Sequence, residues 1–186
     1  MNIYKPLFIW NTAIDFYNLG FERCKTIFGD GYQGDKSLYL KIAAPAINIS
    51  FSVELFLKGI ALHETGSFES IHTLKTLFSK IPEHSKTTII EFFESDLDIN
   101  DKFPSFMFLK DSHANSDNLK PTNNFESSES KIIYELELHD NSFINWRYIF
   151  ELPQKADYKR EYNFEFMIRF GYCCFRCTRI LQERDR

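Results

Sequence analysis

Glu54 and Lys58 lie one helical turn apart, at the border of the apolar face of a predicted helix. A carboxylate four residues before an ammonium is a favourable helical pair, and either charge is costly to bury alone. Arg147 offers a guanidinium that can join Lys58 in binding a phosphate, because both groups suit that anion. In the alternative interpretation, Glu54, Lys58 and Arg147 form salt bridges that only lock the helices together.

His72 stands where another helix is predicted to begin, so its ring can cap that helix or orient a neighbouring group. A histidine titrates near neutral pH and often acts as a general acid or base. Its sequence neighbours include no recognisable nucleophile or second base. Glu54, Lys58, His72 and Arg147 are therefore the catalytic candidates of a chain with no complete catalytic motif.

The predicted C-terminal helix carries a second polar pattern, on a different side from its apolar residues. Its members recur at helical spacing: Arg169, Tyr172, Arg176 and Arg179. Arginines can grip a nucleic-acid backbone while a tyrosine stacks on a base. The alternative is a solvated helix face whose charges pair with nearby glutamates. Since these residues lie off the apolar stripe, we expect the arginines to be replaceable without unfolding the helix.

The same helix has a stripe of large apolar side chains and cysteines: Phe166, Phe170, Cys173, Cys174, Cys177 and Leu181. Free cysteines usually behave as small core residues. Cys174 and Cys177 have the spacing of half a zinc site, but the chain has no second half. The sequence therefore indicates packing cysteines, no metal site and no cofactor.

Helical periodicity dominates the rest of the chain, and no strand alternation stands out. Positions 96–130 are rich in Asn, Asp, Ser and Lys and predict an irregular insertion. The pattern predicts one all-α domain over 1–186, a bundle of about five helices. The predicted helices cover Asn11–Phe28, Ser37 to about Glu64, Thr73–Lys80, Glu83–Ser95, about Glu129 to Glu151, and Tyr158–Arg184.

Composition narrows the setting of this domain. The 186 residues include 20 Phe and 9 Tyr, and the net charge is -4. The N-terminal residues do not resemble a secretory leader and the sequence has no long uninterrupted apolar run, so we expect a cytoplasmic protein away from membranes. The aromatic content and the two-sided apolar helices predict a homodimer that pairs through aromatic faces.

Three segments in order resemble bacterial HEPN-domain proteins, the higher eukaryote and prokaryote nucleotide-binding helical domains. They are SVELFLKGIAL with Glu54, Leu57 and Lys58, IHTLKTLF with His72 and Leu74, and NWRY with Trp146, Arg147 and Tyr148. The resemblance implies a helical bundle that forms dimers. It also implies a nucleic-acid- or nucleotide-directed module of a bacterial defence or toxin–antitoxin system, with a partner protein encoded nearby.

The chain departs from the family's ribonucleases, which use an Arg followed by four to six residues and a His. None of the five His residues follows an Arg at that distance, and Lys58 with His63 is the nearest approach. We therefore expect no robust metal-independent RNA cleavage. Three functions stay open: a module that binds RNA or nucleotides, a non-catalytic dimeric interaction domain, and a ribonuclease with a non-standard centre.

Overall fold

The structure is a computed structural model that describes residues 4–28, 38–95, 105–109, 125–140, 142 and 159–186. It confirms the predicted all-α fold, with six helices among these residues. The elements in chain order are α1 (Tyr4–Phe28), α2 (Leu38–Thr65), α3 (Leu74–Lys80), α4 (Glu83–Glu94), β1 (Ser105–Leu109), α5 (Ser128–Leu138), β2 (Lys159–Asn163) and α6 (Phe164–Arg184).

Helix α2 is the central element and packs against α1, α3 and α6. Its predicted apolar stripe is buried: Ile42, Ala46, Ile49, Val53, Phe56, Leu57 and Ile60. Two glycines let α1 and α2 approach closely. A Cβ on Gly20 would lie 2.6 Å from the side chain of Ile49, and one on Gly59 would lie 2.4 Å from Trp10 Nε1. A larger residue at either position would therefore force Ile49 or Trp10 to shift.

The ends of the helices differ from the sequence prediction in detail. Helix α1 begins at Tyr4, seven positions before Asn11, and includes Pro6 in its first turn, where a missing N–H costs no helical hydrogen bond. Helix α2 continues through Pro45 to Thr65. Gly66 then takes a φ of 80°, a left-handed conformation that glycine adopts easily. This turn starts the loop that returns to α3.

A short antiparallel ribbon is the main element that the sequence pattern did not predict. Strand β1 pairs with β2, with Ser105 opposite Asn163 and Leu109 opposite Lys159. Strand β1 lies within the predicted irregular insertion 96–130, and α5 begins near the end of that stretch. The predicted terminal helix accordingly starts at Phe164, not Tyr158, because the Asn163 side chain accepts a hydrogen bond from Phe166 N at 3.0 Å and caps it.

The segment Lys41–Thr65 of α2 is long and apolar enough to cross a membrane, but 72% of its most apolar window is buried inside the fold. Burial of this extent is typical of the core helix of a soluble protein. The predicted stripe of α6 is buried against the same core, from Phe166 to Leu181. Helices α2 and α6 therefore form the interior on which the candidate site is built.

Candidate functional site around Glu54

Glu54 is the centre of a small polar cluster inside the bundle. Its Oε1 accepts a hydrogen bond from Lys58 Nζ at 2.7 Å, one turn further along α2. The same oxygen lies 2.9 Å from Nδ1 of His72, which stands in the loop between α2 and α3. One carboxylate oxygen therefore holds an ammonium and an imidazole. We call Glu54, Lys58 and His72 the Glu54 cluster.

Burial differs sharply across the Glu54 cluster. The Glu54 side chain is 2% exposed and that of Lys58 is 9% exposed, whereas 45% of the His72 side chain is exposed. A buried carboxylate needs such partners, because an unpaired charge in the interior is strongly unfavourable. Glu54 Oε2 is nevertheless buried and accepts no hydrogen bond within the described part of the chain. Among the described residues, the carboxylate therefore has one acceptor oxygen without a partner.

The loop from Gly66 to Thr73 brings His72 to this carboxylate. The Gly66 N–H donates to Leu62 O at 3.0 Å and closes the end of α2. Further along the loop, Glu69 forms an ion pair with Lys80 of α3. Phe68 is 44% exposed, and the centre of its ring lies 5.8 Å from Lys58 Nζ. An exposed aromatic ring therefore stands beside the Glu54 cluster.

The capping role considered for His72 is not what the structure shows. Thr73 is the residue before α3 and makes no side-chain capping bond. Asp140 accepts a hydrogen bond from Lys75 N at 2.9 Å and supplies the carboxylate at this helix start. The His72 ring is free to turn back to Glu54. Of the two roles predicted for His72, contact with a neighbouring group is the one observed.

Arg147 and its neighbours Trp146 and Tyr148 lie outside the described residues. The predicted contact between Arg147 and the pair Glu54–Lys58 stays a prediction. The Glu54–Lys58 pair itself was predicted from spacing, and the structure adds its burial.

The arginines of α6 are less free than the sequence suggested. Arg169 donates to the carbonyl oxygens of Phe93 and Ser95 at the end of α4, at 2.5 and 3.2 Å. The guanidinium of Arg176 lies 4.6 Å from the ring centre of Phe92. Both side chains help to join α6 to α4, contrary to the expectation that they lie apart from the packing. Tyr172 is partly buried, and Arg179 alone of the four is exposed.

The four cysteines, Cys24, Cys173, Cys174 and Cys177, are free thiols buried in the core. Burial raises the pKa of Cys177 to about 11 and that of Cys24 to about 12, so both stay protonated at neutral pH. Within the described ranges there is no group of three or more His, Cys, Asp or Glu side chains that could hold a metal.

Three further histidines contact polar groups that the sequence did not reveal. His63 Nε2 lies 2.8 Å from Oδ2 of Asp185, the residue after α6, whereas Lys58 pairs with Glu54. His84 and Ser85, in the first turn of α4, both bind Glu64 near the end of α2. These contacts span about twenty to more than a hundred positions, so spacing along the chain could not reveal them.

The third of these, His139, is fully buried at the end of α5. Its Nδ1 donates to Glu135 O at 2.6 Å, and its Nε2 accepts from Asn163 N at 2.9 Å. Burial lowers its pKa from 6.5 to about 4. This neutral ring ties α5 to the junction of β2 and α6, which is a structural role.

Comparisons of the chain with protein-family models, curated proteins and solved structures find no match. The likeness to HEPN-domain proteins therefore rests on the quoted segments alone.

Proposed function

We propose that this chain is a HEPN-like, nucleic-acid- or nucleotide-directed module whose ligand site is the Glu54 cluster with Phe68 beside it. The observation that carries the proposal is the single Glu54 oxygen shared by Lys58 and His72. Helical bundles seldom bury a carboxylate and an ammonium without a structural or functional reason. Here the arrangement also orients a half-exposed imidazole toward the surface.

The chemistry of the cluster suits a phosphate. With Nδ1–H donated to Glu54, the neutral His72 ring presents Nε2 as an acceptor or base, and the protonated ring presents it as a donor. The Lys58 ammonium and the half-exposed His72 ring are the nitrogen groups that would contact the phosphate. Phe68 offers an exposed face on which a base can stack. A nucleotide or single-stranded RNA combines both features.

The proposed activity is binding and not efficient cleavage. General acid–base groups contribute about 10²–10⁴-fold each, and cleavage by a 2′-hydroxyl normally uses more than one. The setting that we propose is the cytoplasm of a bacterium, in a defence or toxin–antitoxin system with a partner protein encoded nearby. The HEPN resemblance is the support for this setting.

Binding of short labelled single-stranded RNA at low salt tests the proposal, with fluorescence anisotropy as the readout. We expect Phe68→Ala to weaken binding about fivefold or more, since stacking on one aromatic side chain contributes ~1–3 kcal/mol. We expect a loss of similar size for His72→Ala, because it removes a hydrogen-bonding group from the phosphate. His84→Ala is the matched control, because His84 is also half-exposed and also binds a buried carboxylate of α2. Equal RNA affinities of the unchanged protein and the three variants would contradict the assignment of this site.

A second candidate function is a ribonuclease with a non-standard centre. The contact between the buried Glu54 carboxylate and His72 favours it, because a carboxylate on Nδ1 orients an imidazole for proton transfer at Nε2. Incubation of pure protein with total RNA separates the two functions. Efficient cleavage that disappears in His72→Ala would establish the nuclease and contradict the binding-only proposal.

A third candidate, a non-catalytic dimeric interaction domain, is favoured by the large apolar side chains left exposed on α1. This function requires no ligand at the Glu54 cluster. Retention of dimers together with no RNA or nucleotide binding would support it.

A further inference from the structure

One face of α1 is exposed along most of its length and follows a heptad spacing. Steps of three and four residues connect its positions, and the side chains are exposed or, at Thr12, partly exposed. Phe8 is 73% exposed and Leu19 is 61% exposed, which are the highest values among the large hydrophobic side chains described. We call these six residues the α1 stripe: Lys5, Phe8, Thr12, Asp15, Leu19 and Glu22.

The residues of the α1 stripe are complementary to the same residues in a second α1 helix that runs in the opposite direction. The stripe begins with a cation, Lys5, and ends with an anion, Glu22. A large apolar residue, Phe8 or Leu19, is the stripe residue next to each of these charges. Thr12 and Asp15 form the polar centre. In an antiparallel helix pair, each a position faces a d position of the other helix. That register sets Lys5 against Glu22, Phe8 against Leu19, and Thr12 against Asp15.

We propose that a second copy of this chain packs on the α1 stripe, with the two α1 helices antiparallel about a two-fold axis that passes between Thr12 and Asp15. Such an interface is closed and uses the same surface on both copies. It covers both exposed apolar residues of the α1 stripe in each copy and places opposite charges at each end. The proposal is independent of the function assigned to the Glu54 cluster.

The charges select against the parallel alternative. A parallel pairing in register would set Lys5 against Lys5, Asp15 against Asp15 and Glu22 against Glu22, and like charges in direct opposition are unfavourable. It would also bring Phe8 against Phe8 and leave no acid–base pair across the interface. Of these two arrangements, the antiparallel one satisfies the apolar residues and the charges together.

A disulfide trap tests the register directly. Positions 8 and 19 are 11 residues apart on one helix, ~16 Å along its axis, which is beyond the reach of a disulfide within one chain. The four native cysteines are buried and do not compete. We expect the Phe8→Cys/Leu19→Cys double variant to form a covalent dimer on mild oxidation. Neither single variant should form one efficiently.

The disulfide results have clear opposite outcomes. Efficient covalent dimers of the single variants would indicate a parallel or a different contact. No covalent dimer in the double variant, with native circular dichroism, would overturn the proposal.

A charge exchange tests the ends of the α1 stripe without any oxidation. We expect Lys5→Glu and Glu22→Lys each to raise the dimer dissociation constant several-fold in sedimentation experiments, and the combined variant to return it close to the original value. Phe8→Asp should raise it about tenfold or more, because it places an unpaired charge in the apolar layer. Leu138→Asp is the control, since Leu138 is 44% exposed but belongs to α5. A monomer at tens of micromolar for the unchanged protein, or equal losses for Leu138→Asp and Phe8→Asp, would overturn the proposal.

Discussion

Helix α2 holds two nearly buried carboxylates, each in contact with a half-exposed histidine, and they differ in how completely they are satisfied. Glu64 binds His84 through Oε1 and Ser85 Oγ through Oε2 at 2.7 Å. Glu54 uses Oε1 for both Lys58 and His72, while its Oε2 has no partner in the part of the chain that the structure describes.

The difference separates a structural contact from a candidate binding site. The Glu64 group joins the end of α2 to the first turn of α4, where a negative charge is favourable near a helix N-terminus. Both of its oxygens are used, and nothing about it calls for a ligand. The Glu54 group shares one oxygen between an ammonium and a half-exposed imidazole beside an exposed ring, which is why the proposed function is assigned there.

The largest expected effect is the loss of the ammonium that neutralises Glu54. Lys58→Met leaves the buried carboxylate with His72 as its one remaining partner among the described residues. We expect the free energy of unfolding to fall by about 3–5 kcal/mol in urea titrations. At the other carboxylate, Ser85→Ala removes a single hydrogen bond and should cost about 1 kcal/mol.

The double variant Glu54→Leu/Lys58→Met is the control for this prediction. It removes both charges and should recover most of the loss, because well-packed apolar residues often replace a buried ion pair without penalty. If Lys58→Met costs no more than Ser85→Ala, the two carboxylates are equivalent and the contrast between them is wrong.

The second prediction concerns Arg147, whose place beside Glu54 rests on the sequence alone. If its guanidinium serves the Glu54 carboxylate, Arg147→Ala should lower the free energy of unfolding by about 3–5 kcal/mol. In a Glu54→Leu background the same change should cost much less, since the acceptor is then missing. If the losses of unfolding free energy in this double-mutant cycle are strictly additive, Arg147 does not interact with Glu54.

The third prediction uses His139, a buried histidine with both ring nitrogens satisfied. Its folded pKa of about 4 lies below the ordinary value of 6.5, so the unfolded chain binds the proton first as the pH falls. Its stabilising contribution is therefore complete above pH 6.5 and is lost toward pH 4. The loss amounts to about 3 kcal/mol.

Urea titrations across this pH range measure that contribution. In His139→Gln, which keeps a donor and an acceptor but cannot titrate, the dependence of stability on pH should be shallower by this amount. Parallel pH profiles of the two proteins would contradict the structural role assigned to His139.

The smallest expected effects separate the arginines of α6. Arg169→Gln removes the guanidinium from the carbonyl groups at the end of α4 and should cost about 1.5–3 kcal/mol, the usual range for hydrogen bonds to a charged group. Arg179→Gln, at an exposed position, should change stability by less than about 0.5 kcal/mol. Arg179→Glu can therefore test nucleic-acid binding by this helix without a large loss of stability.

Reduced RNA affinity of Arg179→Glu would show that the binding surface includes α6 as well as the Glu54 cluster. Unchanged affinity would show that this arginine does not contact the RNA.

Local spacing was enough to predict the helices and one half of the site. The apolar stripe of α2 and the Glu54–Lys58 pair depend on contacts within one helix, so a period of three to four residues reveals them. The buried stripe of α6 follows from the same rule. Residues near in sequence and on one helical face were predicted well.

The contacts that cross between elements could not be predicted in this way. His72 reaches Glu54 because the turn at Gly66 reverses the chain, and the direction of that loop is not encoded in spacing. Strand β1 has its partner about fifty residues later, and its sequence shows no alternation. Arg169 has the pattern of a solvent-facing residue, yet the end of α4 happens to pack beside it. In each case tertiary packing decided the outcome.

Because all four thiols are buried, they are unreactive in the native state. A thiol reacts as its thiolate, and here each sulfur is both shielded and kept protonated. Alkylation by a small reagent must then wait for α6 or α1 to separate from α2, so the labelling rate measures the frequency of those openings. Cys24 on α1 and Cys177 on α6 would report on the two halves of the bundle separately, without any engineered probe.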